Sequence, residues 1–71
     1  METSLNEDER TRNIRICLTS AAAWRQSARN LRDHAAQPRL APHVSAALLR
    51  EAEASDRQAS WWEAGAEDCR H

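Results

Sequence analysis

Apolar and small residues recur at alternating spacings of three and four along two long segments of the chain. The first segment carries two heptad sets: Ile14, Ala21, Ala28 and Ala35, and Cys17, Trp24 and Leu31. The second segment carries two more: Leu48, Ser55 and Trp62, and Ala52, Ala59 and Ala66. This spacing is typical of a coiled-coil seam, in which both positions of each helix face a neighbouring helix. The sequence therefore predicts an all-α fold of two helices packed along these positions.

Two prolines separate the segments and predict a turn between them. Pro38 disfavours the helical conformation for Gln37, so the first helix is expected to end near Ala36. Pro42 suits the first position of the next helix, where an N–H group would have no partner within the helix. An antiparallel two-helix hairpin is the arrangement that this turn favours.

Glycine is expected to mark the other boundary. Gly65 is the only glycine, and glycine is the residue most often found just beyond the last turn of a helix. We therefore interpret the chain as a single helical domain over residues 1–71. Its expected elements are helix one over about 6–36, a turn at 37–41, helix two over about 42–64 and a frayed tail at 65–71.

The composition indicates a thin core. Of 71 residues, 14 are alanine, only nine are Leu, Ile or Val, and there is no Phe or Tyr. A chain this short rarely gains more than about 3–5 kcal/mol from one core. Leu18 and Leu49 also widen the apolar stripe of each helix beyond the seam, as in helices with two neighbours. We therefore expect the alanine-rich hairpin to dimerise into a four-helix bundle.

Charge is divided between the two segments. Residues 10–40 carry seven arginines against Asp33, whereas residues 41–71 carry three arginines against six acidic residues. A basic helix beside an acidic one favours the antiparallel pairing. Folding the chain about residue 39 is expected to bring Trp62 near Cys17.

Tryptophans and leucines outside the seam are the candidate partner-binding residues. Adjacent residues of a helix point about 100° apart, so Trp61 cannot share the seam with Trp62. Tryptophan is enriched at interface hot spots. Trp61, Leu18 and Leu49 are therefore predicted to anchor a partner, which is a second copy of the chain, a larger protein, or both. The function predicted first is a protein–protein interaction module: a regulatory or adaptor protein, or an accessory subunit.

Three arginines at helical spacing fit the interaction module and also two alternatives to it. Arg25, Arg29 and Arg32 could steer an acidic protein partner, line up on nucleic-acid phosphates, or hold an anionic ligand in a small helical enzyme. Against nucleic acid, the isoelectric point is only about 6.3 and the second segment is acidic. The same arginines could instead pair with Glu51, Glu53 or Asp56 of helix two.

Other chemistry has little support in the sequence. The potential metal ligands do not fall at the spacing of known metal motifs: Cys17, His34, His43, Cys69 and His71. We predict no metal, no cofactor and no catalytic residue, and consider an enzyme less favoured than a binding module. Two cysteines this far apart do not form a disulfide scaffold. No apolar run spans a membrane and no secretory signal is present, so the cytosol is the expected compartment.

Overall fold

The computed structural model describes the backbone of residues 2–70 and the side chains of residues 7–70. Two helices, α1 (Glu2–Ala35) and α2 (Pro42–Arg70), pack against each other, and the described residues contain no strand. The hairpin is a rod with principal extents of 60 × 13 × 10 Å. The predicted all-helical hairpin is therefore confirmed.

The connection between the helices is closed by backbone hydrogen bonds. The N–H of Ala36 donates to the carbonyl of Arg32 at 3.1 Å, and the N–H of Leu40 donates to Gln37 at 3.3 Å. The carbonyl of Ala41 then accepts the first hydrogen bond of α2, from Val44 at 3.0 Å. No described residue needs a positive φ, which agrees with a turn built from proline and alanine without glycine.

The seam is made of small side chains. Among residues 7–70, six are buried: Ala21, Ala28, Ala52, Ser55, Ala59 and Ala66. All six belong to the predicted heptad sets, and the larger members Ile14, Leu31, Leu48 and Trp62 are half-buried beside them. Since alanine projects only one carbon, the two backbones can approach closely along this line. The predicted seam is therefore confirmed.

α2 does not end near Gly65 as predicted but continues to Arg70. Gly65 lies within the helix at a negative φ, where it faces α1 instead of capping α2. A Cβ atom placed on Gly65 would lie 3.4 Å from the Sγ of Cys17. A side chain at this position would thus touch Cys17 across the seam. An ion pair between Arg70 and Glu67, at 2.8 Å, also joins two residues of the final turn of α2.

The two helices are displaced by about one turn from the predicted pairing. Cys17 lies against Gly65, three residues beyond the Trp62 that folding about residue 39 places there. The connection at 36–41 is not a tight reversal about residue 39: it holds backbone hydrogen bonds of its own, from Gln37 to His34 and from Leu40 to Gln37.

Candidate association surface

Charged groups of α1 and α2 form ion pairs along one long side of the hairpin. Arg25 donates to Asp56 at 3.0 Å and to Glu63 at 2.8 Å, and its second nitrogen also reaches the hydroxyl of Ser60 at 3.4 Å. Arg32 donates to the other carboxylate oxygen of Asp56 at 2.5 Å. Asp56 thus bridges two arginines of α1. We call this side, defined by Arg25, Arg32, Asp56 and Glu63, the charged face.

The pKa values of Asp56 and Arg25 reflect these contacts. The hydrogen bond from Arg32, reinforced by Arg25, holds the pKa of Asp56 below its ordinary value, although partial burial opposes the shift. Hydrogen bonds to Glu63 and then to Asp56 raise the pKa of Arg25. The charged forms of these groups are therefore favoured by folding.

Acid is expected to weaken the hairpin through Asp56. Because its pKa is lower in the folded state, Asp56 stabilises the fold above its unfolded pKa of about 3.9, and this contribution is lost as the pH falls through the folded value. Thermal unfolding from pH 6 to pH 2.5 should show a larger loss for the natural chain than for Asp56→Asn. The variant keeps every other carboxylate, so equal losses in both proteins would contradict this role.

The predicted arginine row is not free to bind an anion as a unit. Arg25 and Arg32 are engaged by α2 carboxylates, as the alternative pairing predicted for Asp56, with Glu63 as a partner that the sequence did not indicate. Arg29 lies at another angle and donates to Gln26 of its own helix at 2.7 Å. The charged face is thus a contact between the two helices.

The opposite side of the seam contains an open groove of about 490 Å³. Trp24, Ser27 and Leu31 line it from α1, and five residues line it from α2: Glu51, Ala54, Ser55, Arg57 and Gln58. The floor consists of small side chains, because Ser27, Ala54 and Ser55 project little from the two backbones. The groove is therefore a depression beside the larger Trp24.

Two more large apolar residues share this side. Ile16 precedes Ser27 by eleven residues and Trp61 follows Ala54 by seven, and both spacings return to nearly the same angle of an α-helix. Ile16 is 50% exposed, Trp24 38% and Trp61 66%. From Ile16 to Trp24 the distance along α1 is about 12 Å, and Trp61 falls between them in level. Exposed apolar area is thus concentrated near the middle of the rod.

We call this side the neutral face, because its large exposed residues are uncharged, although Glu51 and Arg57 of α2 also line its groove. It comprises the following residues: Ile16, Ser20, Ala23, Trp24, Ser27 and Leu31 of α1, and Ala54, Gln58 and Trp61 of α2. The charged residues of this part of α1 lie at other angles, Arg25 on the charged face and Arg29 away from both faces. On this part of α1, charge is therefore separated from the exposed aromatic surface, whereas Glu51 and Arg57 of α2 line the same groove as Trp24.

Trp61 is held in place by its neighbour. Its ring meets that of Trp62 edge to face, with centroids 5.0 Å apart and planes at 85°. This geometry is favourable for aromatic pairs. Trp62 is itself half-buried at the seam, so it links the projecting Trp61 to the hairpin core. Trp61 is thus an ordered projection on the neutral face.

The other predicted anchors lie elsewhere. Leu18 precedes Arg25 by seven residues and Leu49 precedes Asp56 by seven, so both belong to the charged side. Leu18 lines a shallow apolar groove on α1 together with Ile14. Of the six predicted partner-binding residues, only Trp61 lies on the neutral face. Sequence reasoning missed Ile16 and Ser27 there, although the lack of charge at their helical positions was a usable signal.

Metal and membrane chemistry can be assessed over the same part of the chain. Among the residues that the structure describes, no three His, Cys, Asp or Glu side chains come together as a possible metal site. His71, one of the candidate ligands, lies outside the described residues. Within residues 2–70, neither helix has the length and apolar character needed to cross a membrane.

Comparison with known proteins leaves the assignment of function to this geometry. The chain matches no family model, no curated protein and no solved structure.

Proposed function

We propose that this protein acts by association, and that the neutral face of one hairpin binds the neutral face of a second copy to form a four-helix bundle. The bundle then serves as a regulatory or adaptor protein, or as an accessory subunit of a larger protein. The observation that carries the proposal is the concentration of exposed Trp61, Trp24 and Ile16 on one face, where Glu51 and Arg57 are the charged residues that line the groove.

The chemistry of this face supports an interface. Interface cores are depleted in charged residues and enriched in aromatic ones, and tryptophan is prominent among residues that dominate binding energy. Small residues on the same face, such as Ser20, Ala23 and Ser27, allow helices of a second hairpin to approach closely. The face thus combines large projecting side chains with small side chains between them.

A second copy is the occupant that the face fits best. The contact of Cys17 with Gly65 and the shared groove of Ser27 and Ser55 place Trp61 level with residue 21 of α1. The centre of the groove is then about six residues, or 9 Å, closer to the turn than Trp61 is. A two-fold axis passing near Trp24, midway between, would put each Trp61 into the groove of the other copy. Such a contact is self-complementary, as a two-fold dimer requires.

A stable dimer would have to use the whole long side of the rod and not the neutral face alone. The neutral face spans residues 16–31 of α1, about 23 Å at 1.5 Å per residue. The whole side measures 60 × 13 Å, a projected area of about 800 Å², and standard interfaces bury about 800 Å² on each side. The second hairpin also supplies the apolar neighbours that a two-helix seam lacks.

The charged face remains outside this dimer. Leu18 and Leu49 stay accessible there for the larger protein partner, and Arg29, which lies away from both faces, could steer an acidic surface toward it. We keep the cytosol as the proposed compartment, because a chain with two cysteines is not a disulfide scaffold. Nucleic-acid binding is less favoured, since Arg25 and Arg32 already bind carboxylates.

Sedimentation equilibrium tests the dimer with two matched variants. We expect the natural chain to be dimeric at micromolar concentration. Trp61→Arg should weaken dimerisation by at least about 100-fold, because it removes the projection and buries an unpaired charge. Leu49→Arg makes the same kind of change on the charged side of α2 and should leave the dimer intact. A monomeric natural chain, or dissociation by Leu49→Arg alone, would refute the proposal.

The two-fold arrangement has a sharper test. Trp61→Glu and Ser27→Arg should each be monomeric when purified separately. If Trp61 of one copy lies against Ser27 of the other, an equimolar mixture should restore a dimer that holds one Glu–Arg pair and one natural Trp–Ser contact. Dimers that form in the mixture only through a different pairing of faces would count against this arrangement.

A further inference from the structure

The two cysteines, 52 positions apart in sequence, come together at the open end of the hairpin. Cys17 occupies a seam position of α1, and its Sγ lies 3.4 Å from where a Cβ of Gly65 would stand. Cys69 follows Gly65 by four residues, one helical turn further on the same side of α2. Cys69 also follows the seam residue Trp62 by one heptad. Both cysteines are free thiols and both are half-buried.

Each thiol therefore has the other as a neighbour across the seam. Gly65 lies against Cys17 across the seam, and Cys69 is one turn further along the same helix. A disulfide needs Cα atoms within about 7 Å, so the proposal requires the two backbones to come this close at Cys17 and Cys69. The proposed dimer does not use these thiols.

We propose that Cys17 and Cys69 form an oxidation site, at which a small disulfide such as oxidised glutathione converts the two thiols into a reversible intramolecular disulfide. The thiolate of Cys69 attacks one sulfur of the oxidant, forming a mixed disulfide and releasing one glutathione thiolate. The thiolate of Cys17 then attacks the Cys69 sulfur and releases the second. The two protein thiols lose two electrons and two protons, and one oxidised glutathione becomes two reduced molecules.

The order of the two steps follows from the surroundings of Cys17. Burial raises the pKa of the Cys17 thiol, and the neighbouring Cys69 sulfur raises it further. Less of Cys17 is therefore ionised near neutral pH, which disfavours it as the first attacking group. Once Cys69 carries the mixed disulfide, Cys17 is close enough to complete the bond.

The bond would act as a clamp at the end opposite the turn. The connection at 36–41 ties one end of the rod, whereas only side-chain contacts hold the helices at the other. A cross-link that closes a loop of about 50 residues restricts the unfolded chain strongly. We expect the melting temperature to rise by at least about 10 °C, reversibly. This inference does not depend on the proposed dimer.

Treatment of the reduced protein with oxidised glutathione at pH 8 tests the site. The expected product is monomeric by non-reducing denaturing electrophoresis, is about 2 Da lighter than the reduced chain, and melts higher until dithiothreitol is added. Cys17→Ser and Cys69→Ser should each stop at a mixed disulfide, which forms faster in Cys17→Ser. Two stable mixed disulfides on the natural chain, disulfides between chains as the main product, or an unchanged melting temperature after oxidation would overturn the proposal. Because the natural chain supplies these readouts, the test holds even if a serine variant folds poorly.

Discussion

Ala59→Leu is expected to destabilise the hairpin by about 2–3 kcal/mol, a large share of the stability available to so small a chain. Ala59 is 0% exposed at the centre of the α2 seam. Three added carbons have no space there, because the helices meet across alanine on both sides. The second helix would have to move outward, which would also lengthen the contacts of Arg25 with Asp56 and Glu63.

Ala64→Leu is the matched control for this change. Ala64 lies on the same helix and is exposed, so the added carbons meet solvent and the helix propensity changes little. Urea unfolding followed by circular dichroism should place Ala64→Leu within about 0.5 kcal/mol of the natural chain. If Ala59→Leu proved as stable as Ala64→Leu, the seam would not be as tight as the structure indicates.

Trp62→Ala is expected to cost about 2 kcal/mol for a different reason. Trp62 is the largest side chain at the seam and is half-buried, so its removal leaves a gap instead of an overlap. It also removes the ring that meets Trp61 edge to face. Part of the loss is offset because alanine is the better helix former.

Trp62→Leu provides the comparison for the tryptophan. Leucine restores part of the apolar volume without the aromatic contact, so its loss in chemical unfolding should be about half as large. Circular dichroism should show helical content retained below the transition in both variants. Equal stability of Trp62→Ala and the natural chain would mean that Trp62 contributes nothing to the hairpin core.

Periodicity was sufficient to predict the fold and the seam. The heptad positions of Ala21, Ala28, Ala52 and Ala59 follow from spacing alone, because a helix repeats its facing every seven residues. Pro42 located the start of α2 for a similarly local reason: the fixed φ of proline suits a first helical turn. These features depend on residues that are close together in sequence, so the sequence alone predicts them.

Features that depend on contacts between the helices were not predictable in the same way. Gly65 has a local preference for helix ends, but packing against Cys17 determines its place inside α2. The pairing of the helices depends on the path of the connection, which spacing within each helix does not encode. Cys17 and Cys69 come together only once that pairing is set.

For the same reason, the sequence predicted the candidate surface only in part. The sequence identified Trp61 as a residue outside the seam, which is a property of one helix. The partners of Arg25 and Arg32 depend on which side of α2 carries Asp56 and Glu63 in the folded pair. The side of the hairpin that each exposed apolar residue occupies likewise needs both helices in place.

The alanine seam also has a consequence for how stability varies with temperature. The heat capacity of unfolding rises with the apolar surface that becomes exposed, and buried alanines contribute little surface each. The hairpin should therefore have a heat-capacity increment per residue below the usual value of about 12–15 cal/mol/K. A small increment flattens the curve of unfolding free energy against temperature, so that cooling below room temperature would weaken this protein less than one with a core of leucine and phenylalanine.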